Sequence, residues 1–177
     1  MLNRLETVAD HLDKCVEVVG RIAAWSGLLL VLVMANNVLL RYLFNTGSVA
    51  LQELEWHLMS PLALLCIAYT VQQEGHVRVD VLYARFPASL RQAIDLFSTA
   101  CVLIFALVVV LLSWPYVMQS YRIGEGSPDP GGLPFRFVLK AMIPAGFGLL
   151  ALQSMASLLR SVASCFGRTP GAAPVSR

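Results

Sequence analysis

Apolar runs long enough to cross a bilayer recur along this chain, and they constrain its fold more than any other feature. The first covers about residues 22–44, and its centre, 28–33, carries no polar side chain. The second covers about 51–73, the third about 89–121 with its densest part at 102–112, and the fourth about 135–163. About 20 predominantly apolar residues let a helix span the hydrocarbon layer. Inside that layer only helices and closed barrels satisfy every backbone N–H and C=O. The expected fold is therefore all-α, an integral membrane domain over 1–166 with four transmembrane helices. Composition points the same way. Only 14% of the 177 residues are charged and 57% are hydrophobic, whereas soluble domains carry about 25% charge. Pro61 lies inside the second run and is expected to kink it.

Residues 1–19 precede the first run and have a helical rhythm of their own. Leu5, Val8, Leu12, Val16 and Val19 recur at three- and four-residue steps, with Glu6, Asp10, Asp13, Lys14 and Glu17 on the other face. An acidic polar face attracts anionic lipid weakly, so this amphipathic helix is expected at the interface, against other protein. The first run is read as an uncleaved anchor. Ser89 and Gln92 have the spacing of a capping box at the start of the third helix. Trp114, Tyr116 and Tyr121 read as an interfacial aromatic belt. The stretch 125–134 is too rich in proline and glycine to be helical, and the polar tail 167–177 is expected to be disordered. Of the 13 Lys and Arg residues, nine lie with the termini and the middle connection and four on the opposite side. The positive-inside rule then puts both termini in the cytoplasm. The corner 36–55 and the loop 125–134 would face outward, which in a Gram-negative inner membrane is the periplasm.

Several chemistries are excluded or disfavoured. A net charge of +2 with scattered basic residues is not a nucleic-acid footprint. The four cysteines form no CxxC pair, and no phosphate-binding loop or metal-ligand spacing is present. His11, His57 and His76 are expected too far apart to share a haem. No cofactor, catalytic residue or substrate-binding residue is therefore assigned. Glu53, Glu55 and Lys140 fall near helix ends, where anchoring and pairing are the expected roles. Asn37 lies one turn before Arg41, and an Arg41–Glu55 contact is within reach. This polar group is either a clasp joining the first two helices or a contact to a partner subunit. Four helices with so little polar lining suit an accessory subunit better than a complete carrier.

Three blocks carry a family resemblance. They are Asn37-Val38-Leu39-Leu40-Arg41-Tyr42-Leu43-Phe44-Asn45; Leu51-Gln52-Glu53-Leu54-Glu55-Trp56-His57-Leu58, continuing through Ala68-Tyr69-Thr70 to Gly75-His76-Val77-Arg78-Val79-Asp80; and Glu125-Gly126-Ser127-Pro128-Asp129-Pro130-Gly131-Gly132-Leu133-Pro134, with Lys140 and Pro144 after it. In this order the chain resembles the DctQ-type small membrane subunit of TRAP (tripartite ATP-independent periplasmic) transporters. The resemblance implies two partners, a large DctM-type membrane subunit and a soluble periplasmic DctP-type binding protein. It implies a scaffolding and docking role in sodium-coupled uptake of an organic acid anion. Asn37, Arg41, Glu53, Glu55, His76, Arg78, Asp80 and Lys140 become structural or inter-subunit candidates. Arg122, Glu125, Asp129 and Arg136 become candidates for docking the binding protein, the alternative being a loop that merely turns the chain. The main rival reading is a membrane anchor subunit of a redox enzyme.

Overall fold

The computed structural model describes residues 2–73 and 86–167, and all regular structure among them is helical. Four helices follow one another: α1 (Leu2–Phe44), α2 (Val49–Gln72), α3 (Ala88–Arg122) and α4 (Arg136–Gly167). Each contains a stretch long and apolar enough to cross a membrane. The motif residues His76, Arg78 and Asp80, and the tail beyond 167, lie outside the described residues.

The amphipathic segment and the first span form one uninterrupted helix in α1. Its inward stripe differs from the apolar face read from the sequence. Ala9, Asp13, Val16, Gly20 and Ala23 are buried, at alternating steps of four and three, while Val8 is 51% exposed. That heptad-like rhythm is the seam of helices packed side by side. The stripe is made of small residues because they let backbones approach closely, and dense packing of this kind holds helices together in lipid. At Gly20 an added Cβ would stand 2.5 Å from Cβ of Tyr69, and at Gly146 one would stand 2.6 Å from the carbonyl oxygen of Leu64.

Helices α1, α2 and α4 pack on one another, whereas α3 packs principally on α4. The buried core runs through Val16, Ala68, Ala106, Leu150 and Ala151. An edge-to-face contact between Phe105 and Phe147, with centroids 5.7 Å apart, seats α3 on α4. Large apolar side chains such as Trp25, Leu32, Phe97, Leu111 and Leu112 point outward, as lipid-facing or partner-facing surfaces require.

Turn chemistry sets the helix ends. Asn45 takes a left-handed conformation (φ 53°) after α1, and Thr46 N–H returns to the Leu40 carbonyl at 3.3 Å. Ser48 caps α2 by accepting from Leu51 N–H. The capping box expected at Ser89 and Gln92 does not form. Helix α3 starts directly after Pro87, whose carbonyl accepts from Leu90 and Arg91 N–H at 3.0 and 3.1 Å. The proline ring already fixes a φ compatible with helix entry (−62°), so Ser89 falls inside the first turn. Helices α2, α3 and α4 continue through Pro61, Pro115 and Pro144.

Candidate functional site

The end of α1, the start of α2, the end of α3 and the start of α4 meet at one end of the bundle. The glycine-proline loop from α3 to α4 is stitched to α2 there. Glu53, one turn into α2, is buried, and its carboxylate accepts from the Ser127 hydroxyl and from Leu133 N–H at 2.6 Å. Backbone bonds close the loop on itself. Ser127 N–H reaches the Leu133 carbonyl at 3.2 Å, Gly132 N–H the Asp129 carbonyl at 3.1 Å, and Arg136 N–H the Glu125 carbonyl at 3.0 Å. Gly132 must be glycine, because a Cβ there would run into the Ser127 side chain and stand 2.8 Å from Glu53 Oε2. Phe135, at φ 68°, returns the chain to α4 through a conformation uncommon for an aromatic residue. The composition of 125–134 excluded a helix, as found, and the carboxylate of Glu53 supplies the order that composition could not reveal.

A second contact ties the base of the loop to α4. Lys140 Nζ donates to Glu125 Oε2 at 2.5 Å and sits 4.1 Å above the ring of Tyr116 on α3. Three elements thus share one ammonium, whose charge is met by a carboxylate on one side and an aromatic face on the other. The Lys140 ammonium holds the Glu125 carboxyl below its usual range, against a smaller opposing effect of desolvation.

On α1, Asn37 rather than Arg41 reaches Glu55. Asn37 Nδ2 donates to Glu55 Oε1 at 2.9 Å and is itself buried. Arg41 is exposed and enters no ion pair among the described residues. The antiparallel register explains the correction. Contacts of Gly20 with Tyr69 and of Gly27 with Leu62 put Asn37 level with the first turn of α2, within one turn of Glu55, and Arg41 beyond the start of that helix.

The opposite end has its own clasp. Arg160 of α4 pairs with Asp13 and, at 3.0 Å, with Asp10, while Gln72 Nε2 of α2 donates to the Asp13 carbonyl at 2.8 Å. The amphipathic pattern had put Asp13 on the outward polar face. Its place in the stripe of Ala9, Val16 and Gly20 is the signal that turns it inward.

Among the sequence-derived candidates, Asn37 and Glu55 form one contact, Glu53 a second, and Glu125 with Lys140 a third. All three sit at the same end, where Arg122 and Asp129 are exposed and Arg136 is half-buried. Ser127, Gly132 and Tyr116 belong to the same assembly and were not among the site candidates; nor were Asp13, Gln72 and Arg160 at the other end. Spacing could not find them, because their partners lie on other helices.

The family described as "Tripartite ATP-independent periplasmic transporters, DctQ component" matches residues 30–164, a stretch that includes the whole loop-end assembly and Arg160. A relative from Vibrio cholerae serotype O1, the C4-dicarboxylate TRAP transporter small permease protein DctQ, is 28% identical over 152 residues. The match covers 75% of this chain and 65% of the relative, so the chain spans just under two thirds of that protein's length. Four membrane-length helices and this relationship make it a multi-pass inner-membrane protein and set aside the redox-anchor alternative. The chain belongs to the DctQ family of TRAP transporter components, and is a part of a transporter rather than an enzyme.

Proposed function

We propose that this chain is the static scaffold of a TRAP transporter. It braces a large DctM-type subunit in the membrane and offers part of the surface on which a soluble periplasmic binding protein docks. One observation carries the reading: Glu53 fastens the loop to α2, so the loop end behaves as one body with the helices. A scaffold beside a moving partner has to resist deformation, and clasps at both ends of the bundle serve that need. The broad apolar faces of α1 and α3 offer room for a large membrane partner. The orientation that follows from Lys and Arg counts puts the loop end in the periplasm and both termini in the cytoplasm. Periplasmic reporter activity at the C-terminus would overturn that orientation.

Docking falls to the exposed groups of the loop end. Arg122 and Asp129 present opposite charges to solvent, while Glu125 and Arg136 are half-buried at the same end. Such a mixed surface suits a transient, salt-sensitive contact. The transported solute is an organic acid anion, a reading supported by the C4-dicarboxylate name of the Vibrio relative; a sodium gradient as its driving force is what the family resemblance implies. The test is reconstitution of this chain, its large subunit and a binding protein in vesicles with a sodium gradient. Uptake of dicarboxylates or related acids should need all three components, and transport by this chain alone would refute the scaffold reading. Reversing charge at both Arg122 and Asp129 should slow uptake at limiting binding protein, with partial recovery at excess. Unchanged uptake at every concentration removes these two residues from docking.

A further inference from the structure

The outward face of α1 carries one polar group that acyl chains cannot satisfy. Arg21 and Arg41 bracket a stretch of α1 with no charged residue between them, and at 1.5 Å per residue it rises about 30 Å, the depth of the hydrocarbon layer. Asn36 lies inside that stretch, about 7.5 Å along the helix from Arg41. Its neighbour Asn37 turns inward to Glu55. Asn36 is exposed, and its amide makes no hydrogen bond among the described residues. Other exposed polar side chains are placed differently. Thr70 and Ser98 donate to carbonyls of their own helices. Asn45, Gln52, Gln73 and Gln119 lie within one turn of a helix end, where water is close.

An amide holds two donors and an acceptor, and leaving them bare in hydrocarbon is costly. Acyl chains offer no partner, whereas a polar side chain on a neighbouring transmembrane helix does. The surroundings of Asn36 suit such a helix. Trp25, Leu29, Leu32, Leu39 and Leu43 recur with it at steps of three and four, and all are exposed. Side chains of a second helix seat between residues so spaced, and a single Asn in the row fixes their register. The outward face of α3 at mid-layer, with Ile104, Val108, Leu111 and Leu112, is apolar and calls for no partner but lipid. We propose that the Asn36 row of α1 is the contact with a transmembrane helix of the large membrane subunit, and that Asn36 hydrogen-bonds a polar side chain on it. The identity of the partner rests on the scaffold reading; what is added is that α1 meets it rather than α3. Membership of a tripartite transporter family favours that partner over a second copy of this chain.

The full chain, with its four native cysteines replaced by alanine, would be co-expressed with its large subunit. Single cysteines at Leu32→Cys and Leu39→Cys, one turn to either side of Asn36, and at Leu111→Cys on α3 would carry a photoactivatable thiol reagent. Leu32→Cys and Leu39→Cys should cross-link to the large subunit. Cross-linking from Leu111→Cys alone would overturn the proposal and leave the scaffold reading standing. Cross-linking only to a second copy, or only to lipid, would overturn it as well. Failure of the two subunits to co-purify at all would remove the scaffold reading, and this inference with it. Asn36→Leu tests the amide itself. Titration of the two purified subunits in mild detergent should show about three- to twentyfold weaker association, the range of one interhelical hydrogen bond, with part of the loss restored in Asn36→Gln. The isolated Asn36→Leu chain should match the parent in helix content and in stability in micelles. Unchanged association would overturn the role of Asn36, and so would a destabilised isolated chain, which would place the partner of Asn36 within the chain.

Discussion

Gly146 and Gly148 lie two residues apart on α4, yet the same substitution should act on them in opposite directions. A Cβ at Gly148 meets no other atom within 4 Å, while one at Gly146 stands 2.6 Å from the Leu64 carbonyl oxygen and 2.8 Å from its carbon. Those are backbone atoms of α2, so no side chain can swing aside. Ordinary contact begins near 3.4 Å, and reaching it requires α2 and α4 to separate by about 0.8 Å along that line. Overpacking of this kind costs about 1–3 kcal/mol. Replacing glycine by alanine in a helix gains about 0.5–1 kcal/mol at both sites, so the gain cancels when the variants are compared. Gly148→Ala should therefore be slightly more stable than the parent, and Gly146→Ala should fall below Gly148→Ala by about 1–3 kcal/mol. Unfolding of the purified chain in micelles, followed by circular dichroism or by Trp25, Trp56 and Trp114 fluorescence, measures the difference. Equal stability of the two variants would show that α2 does not seat on α4 at Gly146.

Three further outcomes follow from the clasps. Glu53→Ala or Ser127→Ala should speed limited proteolysis within 125–134 without changing helix content, and an unchanged cleavage rate would remove the Glu53 anchor. Because the Glu125 carboxyl is depressed by Lys140, its stabilising contribution is complete above the ordinary value of 4.5 and is lost as pH falls through the lower folded value. Hydrogen exchange of the loop should thus stay slow at neutral pH and quicken in strong acid, and Glu125→Gln should weaken protection at neutral pH and flatten the dependence; a parent-like acid profile in that variant would refute the assignment. At the opposite end, Arg160→Ala strands the buried Asp13 carboxylate and should cost roughly 1–3 kcal/mol, between surface-pair and buried-pair limits. Adding Asp13→Asn should recover part of that loss, and strict additivity of the two changes would argue against the pair.

The number of membrane-length helices was legible in the sequence, because a helix in lipid must satisfy its backbone within the segment itself. Hydropathy along a single stretch is then enough. Exclusion of helix from 125–134 was legible for the same kind of reason, since proline and glycine act locally. The family resemblance rested on three blocks of contiguous residues and was equally a property of the linear chain.

Tertiary structure decided which side chains meet. Asn37 displaced Arg41 as the partner of Glu55 because the register of α1 on α2 is set by Gly20 and Gly27, many turns away. Asp13 turned inward because the small residues of α1, rather than its larger apolar ones, let the helices approach most closely. Glu53 became the anchor of a loop 74 residues downstream at Ser127. Each of these contacts depends on the packing of two or three helices at once, and periodicity within one helix carries no information about the helix beside it.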